Sequence, residues 1–394
     1  MLAINGGSPV RDKFLPYGRQ DIDEEDVKAI TETLRSDFLT TGPKVREFEE
    51  NLAKYVGAKY AVAVSNGTAA LHIACLSADI QKGDEVIVTP MTFAASSNCI
   101  LYCGGTPVFA DIEKDTGNIS VNSIKEKITN KTKAIIAVDF TGHAVELNKL
   151  RKICEEYNLI LIEDGAHSLG SEYKGEKVGS FADMTTFSFH PVKPITTGEG
   201  GIVTTNSKEI YKKLILFRGH GITRDLDFMI ENQGPWYYEQ LELGFNYRLP
   251  DINCALGLSQ LKKIDSFINK RRSIVERYNE LLKDIGEIEL LVERDYSRSG
   301  YHIYIIKLNL DMLNVSRKEI FEALREENIG VNVHYLPVYL HPYYKKIGYD
   351  KGLCKEAENF YNRIITLPLY PGMNDKDVED VVKAVKKVIN HYKK

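Results

Sequence analysis

Short apolar runs at residues 60–64, 85–89, 107–111, 134–139, 159–163, 184–189 and 202–205 punctuate the first half of the chain, and helical patterns such as 68–78 and 145–157 lie between several of them. Continuous apolar runs suit strands buried on both faces, and their alternation with helices predicts an α/β domain around a mostly parallel sheet. Two helices precede the first run. One has an acidic start at 21–26, suited to the positive end of a helix dipole, and runs to about residue 35; an amphipathic one covers about 44–56.

Beyond about residue 206 the pattern changes. A helix at 208–217 leads into a polar, aromatic segment with Trp236-Tyr237-Tyr238, and a long helical region covers 251 to about 285. The last hundred residues read as a strand (301–308), a helix (317–327), a second strand (330–335), a strand-like 364–369 and a terminal helix from about 375, which predicts a smaller α+β domain. The expected division is a large domain over 1–250 and a linking helix with the small domain over 251–394.

Composition narrows the class. The net charge of −4 offers no basic face for nucleic acid and no acidic tail, so small molecules are the expected partners. Six cysteines are scattered without a Cys-x-x-Cys pair, as for buried reduced thiols in the cytoplasm. The first dozen residues lack the apolar core of a signal peptide, and no apolar run reaches membrane-spanning length. No histidine spacing points to a metal, and there is no Walker-type phosphate loop. Gly198-Glu199-Gly200-Gly201 precedes a strand instead of opening a helix, which excludes a dinucleotide loop.

The chemistry centres on Lys193, held in a turn stiffened by Pro191 and Pro194 just past an apolar run. Ser65 to Thr68 join a strand to a helix start with a capping hydroxyl, a geometry that collects unpaired N–H groups for an anion. Asp164 and Thr92-Phe93 also follow strands, where ligands of such sheets bind. An amine, an anion site and a carboxylate together describe pyridoxal phosphate. Lys193 condenses with the aldehyde and later moves the proton, Asp164 keeps the pyridine nitrogen protonated, Phe93 stacks on the ring and Ser188 donates to the phosphate. The blander readings are an ordinary loop lysine, a plain capped turn, a core Phe93 and structural histidines at His167 and His190.

Four motifs then carry a resemblance: Ser65-Asn66-Gly67-Thr68-Ala69-Ala70-Leu71, Glu163-Asp164-Gly165-Ala166-His167-Ser168-Leu169-Gly170, Ser188-Phe189-His190-Pro191-Val192-Lys193 with Gly198 to Gly201, and Gly244-Phe245-Asn246-Tyr247-Arg248. In this order they resemble the DegT/DnrJ/EryC1/StrS sugar aminotransferases. The resemblance implies fold type I, with a mixed seven-stranded sheet in a large α/β/α domain, a small C-terminal α+β domain, and a homodimer with shared active sites. It implies Lys193 and Asp164 as catalytic residues, with Gly67, Thr68, Phe93, Ser188 and His167 around the cofactor and Asn246 reaching the phosphate from the neighbouring subunit. Gly165 stands where the family often has Ala, Cys or Ser. Relatives that dehydrate sugars replace the lysine with histidine, and Lys193 argues against that variant.

The wording Phe189 to Thr197, Gly257 to Lys263 and Val333 to Tyr339 is similar to the branch of the family that serves pseudaminic acid biosynthesis. That branch aminates C4 of a UDP-linked 4-keto-6-deoxy-N-acetyl-L-hexosamine with L-glutamate as donor. It implies that Tyr17, Leu39, Thr40, Thr41, Gly42, Arg248, His334, Tyr335, Leu336 and Pro337 line the sugar-nucleotide site. The alternatives are amination at C3 or C4 of another dTDP-, GDP- or UDP-linked ketosugar for surface or spore polysaccharide, and a catalytically silent sugar-nucleotide-binding protein.

Overall fold

The computed structural model describes residues 1–227 and 229–394. Its central sheet has seven strands: β1 (Tyr60–Val64), β2 (Glu85–Val88), β3 (Thr106–Phe109), β4 (Thr132–Val138), β5 (Ile160–Asp164), β6 (Met184–Ser188) and β7 (Gly201–Thr205). Their spatial order is β1-β7-β6-β5-β4-β2-β3. From β6 to β3 every neighbouring pair is parallel, whereas β7 runs antiparallel to both β6 and β1, so the sheet is mixed.

Both faces of the sheet are covered, which is why strands such as β1 and β2 read as apolar runs, while the polar residues within β5, β6 and β7, such as Glu163, Thr185 and Thr204, are buried too. Val62 and Val64 of β1, Val86 and Val88 of β2, and Ala134 and Ile136 of β4 enter one core; Ala61, Ala63, Ile87, Ile135 and Ala137 enter the other. The helices that matter for the site are α1 (Glu24–Leu34), α2 (Pro43–Val56), α3 (Gly67–Ser77) and α4 (Ala95–Tyr102). Helix α1 starts on a capping box in which Asp23 and Asp26 exchange bonds, and α2 starts on Pro43 and stops at Gly57 with φ 74°. The long helical region splits into α5 (Asp251–Leu261) and α6 (Ile264–Leu282).

A second, three-stranded antiparallel sheet has β9 (Tyr304–Leu308) between β8 (Ile288–Leu290) and β10 (Ile364–Leu367). Its core is shared with α7 (Arg317–Glu326), α8 (Asp375–Tyr392) and with Leu2 and Leu15 from the N-terminal segment. The strand expected over 330–335 does not form. Only Asn332 pairs, with Thr366, after which the Asn332 side chain takes the Val333 N–H at 2.8 Å and the segment leaves the sheet. Val338 N then bonds Pro90 O at 3.0 Å, so this strand-like stretch is a crossing that carries His334 and Tyr335 over the large sheet.

Candidate active site

Register brings the sequence motifs together. Gly201 of β7 faces Val64 of β1 on one side and Ser188 of β6 on the other, so the turn after β1 and the end of β6 become neighbours. A Cβ on Gly201 would lie 2.5 Å from Asn66 O, and one on Gly67 would lie 2.9 Å from the Ser188 Cβ. Both positions therefore require glycine for close approach. The helix cap is Asn66, whose side chain takes Ala69 N at 2.8 Å, not the Thr68 hydroxyl that the sequence suggested. That leaves the Gly67 and Thr68 N–H groups, at the positive end of α3, without an acceptor among the described residues.

Asp164 ends β5, with Gly165 N bonded to Thr186 O at 2.8 Å across to β6. Its carboxylate is 3% exposed and accepts from Ser96 Oγ at 2.6 Å and Ala166 N at 3.1 Å. Ser96 in turn pairs with Thr92 Oγ1 at 2.8 Å. Burial pushes the Asp164 carboxyl above its ordinary range, opposed by Ser96, the Ala166 N–H and the charge of Lys193. Lys193 sits in a turn closed by its own N–H on His190 O at 2.9 Å, and burial lowers its ammonium to about 8 although Asp164 pulls the other way.

These groups line one cavity of about 920 Å³. Gly67, Thr68, Phe93, Asp164, Ser188 and Lys193 all border it, as do His167, Tyr17, His334 and Tyr335. Phe93 is 64% exposed with its ring 6.4 Å from that of Tyr335, a platform at the cavity and not a core residue. His167 Nε2 meets Tyr335 Oη at 3.1 Å, and its buried Nδ1 has no partner among the described residues. His334 is held by Thr366 Oγ1 at 2.9 Å, and its ring lies 5.3 Å from that of Tyr17, tilted by 53°. Burial, reinforced by Lys193, lowers His334 to about 4 and His167 well below the usual histidine range, so both are neutral.

Other expected site residues lie elsewhere on the protomer. Leu39, Thr40 and Thr41 are exposed, and their loop is tied to the start of α5: the buried Asp251 carboxylate accepts from Gly42 N at 2.5 Å and Lys44 N at 2.8 Å. Asn246 and Arg248 present exposed side chains outside the cavity lining, on backbone bridged to Gly219 and Val64, while Tyr247 between them does line it. Leu336 and Pro337 follow Tyr335 but leave the lining for the 3-10 turn Val338–Leu340. The sequence reading missed Ser96, Tyr247, His302 and Asn332. Ser96 was detectable as the hydroxyl one helical turn past Phe93, and His302 as a polar residue just ahead of an apolar strand.

A lysine of lowered basicity and a buried carboxylate at the strand ends, with an open helix N-terminus beside them, place this protein among the pyridoxal-phosphate enzymes of fold type I. The chain belongs to the DegT/DnrJ/EryC1/StrS aminotransferase family, whose pattern matches residues 20–386. It is 40% identical over 384 residues to the UDP-4-amino-4,6-dideoxy-N-acetyl-beta-L-altrosamine transaminase of Campylobacter jejuni, covering 97% of this chain and 99% of that protein. It is 39% identical over 381 residues to the spore coat polysaccharide biosynthesis protein SpsC of Bacillus subtilis, covering 96% and 98%. Among solved structures, Helicobacter pylori PseC, an aminotransferase involved in the biosynthesis of pseudoaminic acid, superposes with a TM-score of 0.90 at 36% identity, covering 96% of this chain and all of that one. The protein is a pyridoxal-phosphate-dependent nucleotide-sugar aminotransferase.

The residues present fit the cofactor. The unpaired N–H groups of Gly67 and Thr68 beside Ser188 suit a phosphate, and the buried, basic Asp164 suits a protonated ring nitrogen. When bound, pyridoxal phosphate supplies an aldehyde for an amine and an electron sink for the carbanion. Two results are expected. Only the neutral Lys193 amine is nucleophilic, so the rate of reconstituting cofactor-free protein should rise with pH and level off above about 8; a rate still climbing towards the ordinary lysine value of 10.5 would contradict the lowered basicity. Ser96→Ala removes a bond that favours the Asp164 anion, so its carboxyl rises further and cofactor affinity, read by equilibrium titration, should fall by about tenfold.

Proposed function

We propose that the chain transfers the amino group of L-glutamate to the C4 ketone of a UDP-linked 4-keto-6-deoxy-N-acetyl-L-hexosamine, as pseudaminic acid biosynthesis requires. The observation that carries this reading is the near full-length 40% identity to the altrosamine transaminase, and the likeness to PseC supports it. The reading includes a cytoplasmic location and a homodimer with shared sites. Lys193 carries the proton between the substrate carbon and the cofactor carbon, in opposite directions in the two halves of a ping-pong cycle. Asp164 holds a proton on the ring nitrogen, Gly67, Thr68 and Ser188 bind the phosphate, and Phe93 and His167 border the ring. Tyr17, His334 and Tyr335 receive the sugar nucleotide. The exposed Asn246, Arg248 and the loop from Leu39 to Gly42, outside their own protomer's cavity, suit residues that complete the site of a second copy.

A second reading rests on the 39% identity to SpsC: amination of a different nucleotide-linked ketosugar for surface or spore polysaccharide. A silent binding protein is disfavoured, because Lys193 and Asp164 share one cavity. Single-turnover amination separates the first two readings. The UDP-4-keto-L-sugar, its D-configured epimer and a dTDP-4-ketosugar are each mixed with the amino form of the enzyme. The proposal expects fast turnover of the L-sugar alone, and preference for another sugar would move the enzyme to a different pathway with Lys193 and Asp164 unchanged in role.

A further inference from the structure

His302 stands just ahead of β9, and its placement is fixed from several directions. Tyr301 before it has φ 47°, a left-handed conformation that a bulky side chain adopts only where the surroundings enforce it. Arg271, 1% exposed, provides that enforcement: its Nη1 donates to the carbonyl oxygens of Tyr301 at 3.3 Å, His302 at 3.1 Å and Leu369 at 3.0 Å. His302 N donates to Thr141 O at 2.8 Å. The imidazole is 5% exposed, borders the cavity, and lies 4.4 Å ring to ring from His167.

Its two nitrogens have different surroundings. Nδ1 is closed off by packing and has no partner among the described residues. An unpaired buried N–H is costlier than an unpaired lone pair, so the proton belongs on Nε2. That N–H has no acceptor among the described residues either. Burial first, then the charge of Lys193, holds the ring well below the histidine range, so it is a neutral donor. The other histidines bordering the cavity are engaged or open to solvent: His167 with Tyr335, His334 with Thr366 and Asn332, and His190 largely exposed. The described lining holds no arginine and no lysine besides Lys193. An amino-acid donor brings carboxylate oxygens that need hydrogen-bond donors.

Resting on the glutamate reading above, we propose that the Nε2–H of His302 binds a carboxylate of the incoming amino acid, a binding role separate from proton transfer by Lys193. The test uses the cofactor-loaded enzyme and two variants: His302→Phe keeps the ring shape without the donor, and His302→Gln keeps an N–H near the same place. In the Phe variant the glutamate concentration for half-maximal bleaching of the yellow enzyme should rise about tenfold or more. Calorimetric binding of glutarate, an unreactive dicarboxylate, should weaken by the same factor, and the Gln variant should recover most of both losses. The single-turnover reaction of the amino form with the ketosugar should stay within about threefold of wild type. Unchanged glutamate and glutarate binding in the Phe variant, or a loss confined to the ketosugar half, would overturn the assignment to the donor. Failure of glutamate to bleach even the wild-type enzyme would instead overturn the donor reading itself, and the proposed ligand of His302 with it.

Discussion

Lys193→Ala is expected to abolish transamination, with turnover falling by at least about 10⁴-fold, and to remove the yellow absorbance of the lysine-bound cofactor. The size of the effect follows from two tasks that fall on one amine. Lys193 is the only lysine bordering the cavity among the described residues, so no second amine can condense with the aldehyde. In the proposed mechanism the same amine is also the base that moves the proton, and its basicity, lowered by burial to about 8, suits that task near neutral pH. Protein still folded by circular dichroism but colourless and inactive is the expected result. Retained turnover would remove Lys193 from both roles.

Asp164→Ala is expected to keep part of the cofactor affinity yet lose activity by about 10²-fold or more. The phosphate end of the site, at Gly67, Thr68 and Ser188, is built on other elements and survives the change. In the proposed role, what is lost is the anion that would hold a proton on the ring nitrogen, and with it the electron sink that would make the substrate carbon acidic. Two features keep that anion where it is needed: a bond from Ser96 Oγ at 2.6 Å and one from Ala166 N at 3.1 Å. Near-normal turnover in the Ala variant, measured at saturating cofactor, would take Asp164 out of this role.

The central sheet was legible because its strands are buried on both faces, which leaves apolar runs such as Tyr60–Val64 and the Val-Ile-Val of Glu85–Val88 in the chain. The site at its carboxyl edge was legible for a related reason: Ser65 to Thr68 follow β1, Asp164 closes β5, and Lys193 lies in the turn after β6. What escaped detection depends on contacts distant in sequence. The segment 330–335 has the alternation of a strand, but the Asn332 side chain and the tie from Val338 N to Pro90 O divert it over the cavity. Leu2 and Leu15 join the core of the second sheet some three hundred residues away, a contact with no local signature. His302 is placed by Arg271 and the backbone of Tyr301, and its importance appears only when its neighbours in space are known.

The most direct test of the account is one complete cycle on a stoichiometric amount of enzyme. L-glutamate should bleach the yellow form and release one equivalent of 2-oxoglutarate; after removal of free amino acid, the UDP-4-keto-L-sugar should restore the yellow form and appear as its 4-amino product. Both half-reactions running through Lys193, and neither running in Lys193→Ala, is the predicted result. Bleaching by glutamate with no nucleotide-linked ketosugar able to restore the colour would contradict the account.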